Sequence, residues 1–112
     1  MGKYLVRHRE DVQQERGICG FRQRILTDAD TEAVSLSILS VHDAQEHYHQ
    51  ETTEAYFVLE GEGVLHVDGE RVEVRAGTMV LLPPGVRHRA EGDFVTLIVC
   101  APAWRKEDQF VC

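Results

Sequence analysis

The chain has 112 residues, of which 43% are hydrophobic, and its formal net charge at pH 7 is −7. This length and composition are typical of one globular domain with a single core, and they exclude disorder as a general interpretation. The acidic balance disfavours nucleic acid as a partner, because phosphate contacts need a basic surface. No apolar run approaches the roughly 20 residues that span a bilayer, so no membrane partner is expected either.

The N-terminal residues 1–18 are highly charged apart from the apolar residues 4–6, and they predict an arm or an added edge strand. They show no apolar segment of a secretory signal, and the three cysteines, Cys19, Cys100 and Cys112, have no close spacing. Both features favour reduced thiols in a cytoplasmic protein. Cys100 ends an apolar run and is interpreted as a small core residue, the alternative being that Cys19 or Cys100 approaches the metal site described below.

Short segments rich in β-branched and aromatic residues alternate with turn signals, which predicts an all-β sandwich or barrel. The predicted strands are residues 21–26, 33–41, 53–59, 63–67, 70–74, 79–82, 86–90 and 94–100. Asp68-Gly69 predicts a two-residue hairpin turn that pairs Leu65 with Val72 and His66 with Arg71. His66 then lies on the face opposite Leu65, which excludes it as a metal ligand. Residues 104–109 are expected to form one helical turn against the barrel.

Four residues predict a metal site. His47 and His49 are two residues apart, so in an extended strand their side chains point the same way. Glu54 begins the next predicted strand after a short loop, and His88 follows a rigid Pro-Pro-Gly turn. Three imidazoles and one carboxylate suit one divalent transition ion, with iron, manganese, nickel or zinc expected and copper less favoured. On a six-coordinate ion, two positions stay open for substrate.

Two motifs frame these residues. The first is His47-x-His49-x4-Glu54-x6-Gly61, and the second is Gly77-x5-Pro83-x-Gly85-x2-His88. Their order and spacing resemble the two motifs of small single-domain members of the cupin family. The resemblance implies an antiparallel jelly-roll barrel over residues 19–102, with residues 103–112 as a tail that packs on it. It also implies that the metal ligands are His47, His49, Glu54 and His88.

A metal ion with open positions predicts an enzyme that acts on a small metabolite with two neighbouring oxygen atoms, by dioxygenase or isomerase chemistry. Glu54 could also take a proton from the substrate, and Tyr56, on the same strand face, could donate a hydrogen bond to it. No residue is assigned to an organic cofactor. Arg22 and Arg24 share one face of their strand. Turned inward they would bind a substrate carboxylate, whereas the favoured interpretation is that they are outward, solvated charges.

Two other functions stay open. A binding module would hold a small ligand without converting it, and a structural ion would only stabilise the barrel. Edge strands of an open jelly roll need to be paired or covered, so pairing through residues 4–6 predicts a homodimer. The same four ligands recur across the family with unlike chemistries, so the sequence names neither the metal, the substrate nor the reaction.

Overall fold

The computed structural model of the protein describes residues 3–112, so Met1 and Gly2 of the predicted arm lie outside the described residues. The strands, in chain order, are β1 (Gln14–Gly17), β2 (Gly20–Leu26), β3 (Ser35–Val41), β4 (His47–Tyr48), β5 (Thr53–Val67), β6 (Glu70–Arg75), β7 (Met79–Leu82), β8 (His88–Ala101) and β9 (Phe110–Val111). Short 3-10 helices lie at Arg9–Asp11 and Lys106–Asp108. Within the described part of the chain, no helix has the length and apolar character needed to cross a membrane.

The long strands β5 and β8 curl the antiparallel sheet into a barrel. They pair along their whole length, from Thr53 opposite Ala101 to Val67 opposite His88. The sheet continues from β8 through β3 to β2 and β1, while β5 also pairs with β6 and β7. The all-β antiparallel barrel predicted from the sequence is therefore confirmed.

Strand boundaries differ from the prediction at the glycines. The predicted segments 53–59 and 63–67 form the single strand β5, and most of 86–90 joins 94–100 in β8. Gly63 lies opposite Gly92 in this pairing, and a Cβ at Gly63 would come within 2.4 Å of the carbonyl oxygen of Glu91. These glycines therefore allow two continuous strands to approach closely, rather than ending them.

One hydrophobic core fills the barrel interior. Its buried residues are Leu39, Val41, Tyr56, Val58, Leu65, Val74, Leu82, Ala90 and Phe94. The hairpin between β5 and β6 has the predicted register, with Leu65 opposite Val72 and His66 opposite Arg71. His66 lies away from the core and forms a hydrogen bond of 2.7 Å with Glu91. This position agrees with the prediction that His66 is not a metal ligand.

Both chain ends contact the barrel through short strands. In the predicted arm, the segment that pairs is β1, which lies against β2, whereas residues 4–6 lie outside the strands and are exposed. In the predicted tail, β9 pairs with β4, so that Val111 lies opposite His47. The helical turn expected within residues 104–109 is Lys106–Asp108. The tail thus contacts the strand that carries the first candidate ligand.

Candidate metal centre

The four predicted ligands converge at one end of the barrel interior. His47 lies on β4 directly opposite His88, the first residue of β8. His49 follows β4, and Glu54 is the second residue of β5. Each residue offers one ligand atom, and these atoms all lie within 4.8 Å of one another, with all four residues buried.

Backbone carbonyls fix the orientation of the three imidazole rings. The Nδ1 atoms of His47, His49 and His88 lie 3.0, 2.9 and 3.0 Å from the carbonyl oxygens of Gln45, Asp108 and Val86, respectively. Because a carbonyl oxygen can only accept, each Nδ1 must carry the proton and donate. A ring with its proton on Nδ1 and none on Nε2 has the Nε2 lone pair free, which is the arrangement of metal-binding histidines.

The Nε2 atoms meet the carboxylate of Glu54 without forming aligned hydrogen bonds. Nε2 of His49 and of His88 lie 3.2 and 3.0 Å from Oε1 of Glu54. Among the described residues, none provides a hydrogen-bond partner for these three buried atoms. Buried polar atoms without partners are rare because they are destabilising. A shared divalent ion would satisfy them, and a set of nitrogen and oxygen ligands suits a first-row transition metal. The group could therefore hold a metal.

Burial and mutual contacts set the protonation states. Desolvation, with the charge of His88 second, lowers the pKa of His47 from 6.5 to about 4. Burial alone would raise the pKa of Glu54, but the neighbouring imidazoles of His49 and His88 outweigh it, so the pKa is lowered. At neutral pH the site thus offers a neutral imidazole and an ionised carboxylate, the forms that bind a metal.

His49 differs from His47 because it is closer to the negative charge. Burial would lower the pKa of His49, but contact with Glu54 outweighs it, and the pKa is raised. A proton and a metal ion would therefore compete for Nε2 of His49.

A cavity that opens to the surface is lined by three of the four ligands, His47, His49 and Glu54. Its volume is about 50 Å³, and it opens to solvent at its mouth. Its walls include Cys19, Arg22, Tyr56, Cys100, Trp104 and Gln109. An open space lined by polar and apolar side chains thus adjoins the candidate ligands.

The sequence matches a family model described as a cupin domain over residues 38–100. The chain belongs to the cupin family. The matched range covers more than half of the 112 residues and contains all four candidate ligands.

One relative and several solved structures are similar to this cupin. Protein MJ1618 of Methanocaldococcus jannaschii is 35% identical over 66 residues, which are 55% of this chain and 53% of that protein. The chain therefore spans about half the length of this relative. A protein from Planctomyces limnophilus superposes with a TM-score of 0.89 and 22% identity, covering 97% of each chain.

Two of the similar structures carry enzyme names. Pac13, a nucleoside dehydratase of Streptomyces, has a TM-score of 0.88 and 19% identity over 98% of this chain and 92% of its own. Ectoine synthase from P. lautus has a TM-score of 0.79 and 22% identity over 97% and 90%. At these identities the likeness shows the fold alone.

The two inner cysteines of this cupin lie close to the site. Cys100 is buried as expected for a core residue, but its Sγ also donates to Oε2 of Glu54 at 3.4 Å. Sγ of Cys19 lies 3.8 Å from Nδ1 of His47. Burial, then the charge of Glu54, raises the pKa of Cys19 to about 12 and also raises that of Cys100. Both thiols are therefore protonated at neutral pH. Cys100 is a buried core residue as interpreted, and the alternative that Cys19 and Cys100 approach the site agrees with these contacts.

The favoured interpretation of the sequence was that Arg22 and Arg24 of β2 have outward, solvated side chains. This prediction was wrong for Arg22. Arg22 lies opposite the buried Leu39 and lines the cavity. Arg24 points to the same side of β2 but does not line the cavity, and its Nη2 lies 3.6 Å from Asp28. Arg24 lies further along β2, where the pairing with β3 becomes irregular and the turn that contains Asp28 is near.

Two further residues support the ligands, and only one of them, Gly85, belongs to a motif visible in the sequence. The carboxylate of Asp108 is buried and accepts hydrogen bonds from backbone N–H groups of residues 50–52. Gly85, at φ +88°, donates its N–H to the carbonyl oxygen of His49 at 2.6 Å. A glycine motif at residue 85 was visible, but nothing in an acidic, polar tail distinguishes a buried aspartate from an exposed one.

Tyr56 lies where strand parity placed it. It is 2% exposed, lines the cavity, and its ring centre is 6.0 Å from that of His88. Burial, with the charge of Glu54 second, raises the pKa of Tyr56 well above 10.0. Its hydroxyl group is therefore protonated at neutral pH and can act as a hydrogen-bond donor.

Proposed function

We propose that this cupin is a metal-dependent enzyme that acts on a small metabolite through two neighbouring oxygen atoms, by dioxygenase- or isomerase-type chemistry. The observation that carries the proposal is the convergence of imidazole lone pairs and one carboxylate, with ring orientations fixed, at the inner end of an open cavity. A divalent ion held by His47, His49, Glu54 and His88 would supply Lewis-acid polarisation of those oxygens, and iron would add redox chemistry with dioxygen.

The chain's own residues have three roles in this proposal. The apolar walls exclude water, which strengthens electrostatic contacts with the substrate. Tyr56 donates a hydrogen bond to a substrate oxygen, and Glu54, the anionic ligand, accepts a proton from the bound substrate. The Nδ1 atoms of the three imidazoles stay bound to backbone carbonyl oxygens, so the rings hold their orientation while the proton moves.

Proteins that share this fold include two with enzyme names, so the fold itself is compatible with catalysis. Pac13 is named as a nucleoside dehydratase and has been solved with uridine, and ectoine synthase has a similar barrel. Both names describe reactions of small molecules. A binding module, or an ion that only stabilises the barrel, is distinguished from an enzyme by the experiments that follow.

The first experiment measures metal content by mass spectrometry on untagged protein from its native host. About one equivalent of iron, manganese or nickel should be lost in a His47→Ala/His49→Ala variant and kept in His66→Ala, since His66 lies outside the cluster. Zinc would favour Lewis-acid catalysis or a structural ion over oxygen chemistry. Metal absent from both the wild type and the variants would contradict the proposal.

The second experiment tests turnover on the metal-loaded protein. A panel of enediols, 1,2- and 1,3-dicarbonyl compounds and catechols is screened for conversion and oxygen uptake. Conversion by the wild type that is abolished in the double variant supports an enzyme. Tight binding without conversion across the panel would instead favour the binding module.

A further inference from the structure

Arg22 provides the positive charge in the wall of the cavity. In the sheet it lies opposite Leu39, which lies opposite Thr96, and both of these are buried. Among the described residues that line the cavity, the other charged side chain is Glu54, at the inner end beside the imidazoles. The Arg22 side chain is 23% exposed and that of Glu54 is 5% exposed, so the guanidinium group lies nearer to solvent than the metal-binding end.

Three neighbours hold the guanidinium group in place. Its Nε donates to Glu15 at 3.0 Å, and its Cζ lies 4.5 Å from the ring centre of Trp104. The indole is itself fixed, because its Nε1 donates to Gln109 at 3.2 Å. A Cβ at Gly17 would lie 3.2 Å from Nε of Arg22, so a glycine at this position leaves room for the guanidinium group. The orientation of Arg22 is therefore set before any ligand binds.

These contacts leave the outer edge of the guanidinium group available. The hydrogen bond to Glu15 uses Nε, and within residues 3–112 the structure shows no acceptor for Nη1 or Nη2. The side chain of Glu15 is 50% exposed, so its ion pair with Arg22 contributes little to stability. The paired N–H groups of Nη1 and Nη2 match the two oxygens of a carboxylate.

We propose that Arg22 binds a carboxylate group of the substrate, so that the substrate is an anion with its chelating oxygens at one end and a carboxylate at the other. The inference rests on the proposed function, which it deepens by naming the charge of the substrate. A divalent ion with Glu54 and three neutral imidazoles carries a net positive charge, so both ends of the cavity favour an anionic ligand. In this arrangement Trp104 contacts the flat face of the Arg22 guanidinium group, and the edge of the same group binds the substrate carboxylate.

The test uses matched pairs of chelating probes on the metal-loaded protein. Monohydroxamates of malonic, succinic and glutaric acid provide the same chelating group with a carboxylate at three distances, and the corresponding amides lack the charge. Affinity is measured by calorimetry and by the fluorescence of Trp104, the single tryptophan of the chain. At the best length, the carboxylate should bind about 10- to 100-fold more tightly than the amide.

Two arginine variants separate a ligand contact from a general charge effect. Arg22→Gln should abolish the preference for the carboxylate, whereas Arg24→Gln should keep it. Arg24 is a close control because it lies on the same strand and 4.8 Å from the same indole, yet outside the cavity wall. Arg22→Lys should keep part of the preference, because it retains the charge but not the paired N–H groups. Equal preferences in Arg22→Gln and Arg24→Gln, or no preference at any length, would overturn the proposal.

Failure of the proposed function has a different signature. The neutral amide probes test the metal end alone. If these probes bind the wild type no better than the His47→Ala/His49→Ala variant, the four residues do not form a metal site that binds chelating ligands, and the proposed function is contradicted. The Arg22 site is then tested on metal-free protein with glutarate against glutaramide, with Trp104 fluorescence as the readout. A response to glutarate that disappears in Arg22→Gln supports carboxylate binding, and equal responses in the wild type and Arg22→Gln overturn it.

Discussion

The imidazole of His49 is oriented by the C-terminal tail, since its Nδ1 donates to the backbone carbonyl oxygen of Asp108 at 2.9 Å. The carboxylate of the same aspartate accepts hydrogen bonds from the backbone N–H groups of residues 50–52. One tail residue thus fixes both a ligand ring and the turn that leads to Glu54. The tail is therefore part of the metal centre's support, in addition to covering the barrel.

Replacing Asp108 should weaken metal binding without removing a ligand. In Asp108→Ala the turn at residues 50–52 loses its buried acceptor. The backbone carbonyl that accepts from His49 remains, but the carboxylate no longer ties that part of the tail to the turn, so the position of His49 is less firmly held. We expect the metal affinity to fall about 10- to 100-fold and the free energy of unfolding to fall by about 2 to 4 kcal/mol. Competition with a chelator and urea unfolding measure the two effects. Glu107→Ala, at an exposed neighbour, is the control. Lower stability with unchanged metal affinity would show that Asp108 does not position His49.

The metal-free protein should lose stability as the pH falls from about 6.5 to about 4. In this range the unfolded chain protonates His47 at its ordinary pKa of 6.5, while the folded protein keeps it neutral down to about 4. The unfolded state therefore binds more protons, and the free energy of unfolding falls with pH. At about 1.4 kcal/mol per pKa unit, His47 contributes about 3 kcal/mol.

The pKa shifts of His49 and Glu54 change the free energy of unfolding mainly above pH 6.5 and below pH 4.5, respectively. The raised pKa of His49 contributes stability below pH 6.5 that is lost as the pH rises above it. The lowered pKa of Glu54 adds a loss below pH 4.5. Urea unfolding in EDTA at pH 6.5, 5.5 and 4.5 measures the dependence. His47→Gln should flatten it and His66→Gln should not, so an equal slope in the two variants would contradict the assignment.

Removing the hydroxyl of Tyr56 should affect substrate binding and leave the metal in place. Tyr56→Phe keeps the buried ring but removes the donor beside the four ligands. We expect kcat/KM, or the affinity for a chelating probe, to fall about 10-fold, with metal content unchanged. Val58→Ala, on the same strand face, is the control because it changes the barrel interior without removing a polar group. Loss of metal in Tyr56→Phe would show that the tyrosine supports the site structurally instead.

The four candidate ligands could be found from the sequence because strand parity and the glycine and proline frame are local patterns. The hairpin at Asp68-Gly69 was predictable for the same reason, since its turn requires two positive φ angles. Parity also placed Tyr56 on the face of Glu54. These features depend on neighbours within a few residues, which a single sequence shows directly.

The missed features depend on contacts between distant segments. Asp108 acts on residues 50–52, and Cys100 reaches Glu54 only because β5 and β8 pair in this register. The inward position of Arg22 follows from its pairing with the buried Leu39 of β3, and alternation within β2 does not reveal which face of the strand is buried. The sequence prediction divided each of β5 and β8 into two strands at its glycines. A glycine marks a close approach between two strands only when the residue opposite it is known, and the sequence does not show that Gly63 lies opposite Gly92.

The homodimer expected from the sequence stays a prediction, and the structure offers two apolar surfaces for it. Tyr4 and Val6, at 88% and 81% exposure, lie outside the strands and can pair with an edge strand of a second copy. The outer face of the sheet also exposes Met79 and Leu81, at 59% and 56%. Because backbone pairing needs the N–H groups of residues 4–6, proline should disrupt the first surface and leave the second unchanged.

Multi-angle light scattering at micromolar concentration distinguishes the two surfaces. We expect a dimer for the wild type, a dissociation constant raised at least about 10-fold in Val6→Pro, and a dimer for Leu81→Glu. Dissociation by Leu81→Glu alone would assign the interface to the outer sheet face, where a buried charge without a partner is strongly unfavourable. A wild-type monomer would show that residues 4–6 do not pair between copies, and the exposed edge strands would then need another form of protection.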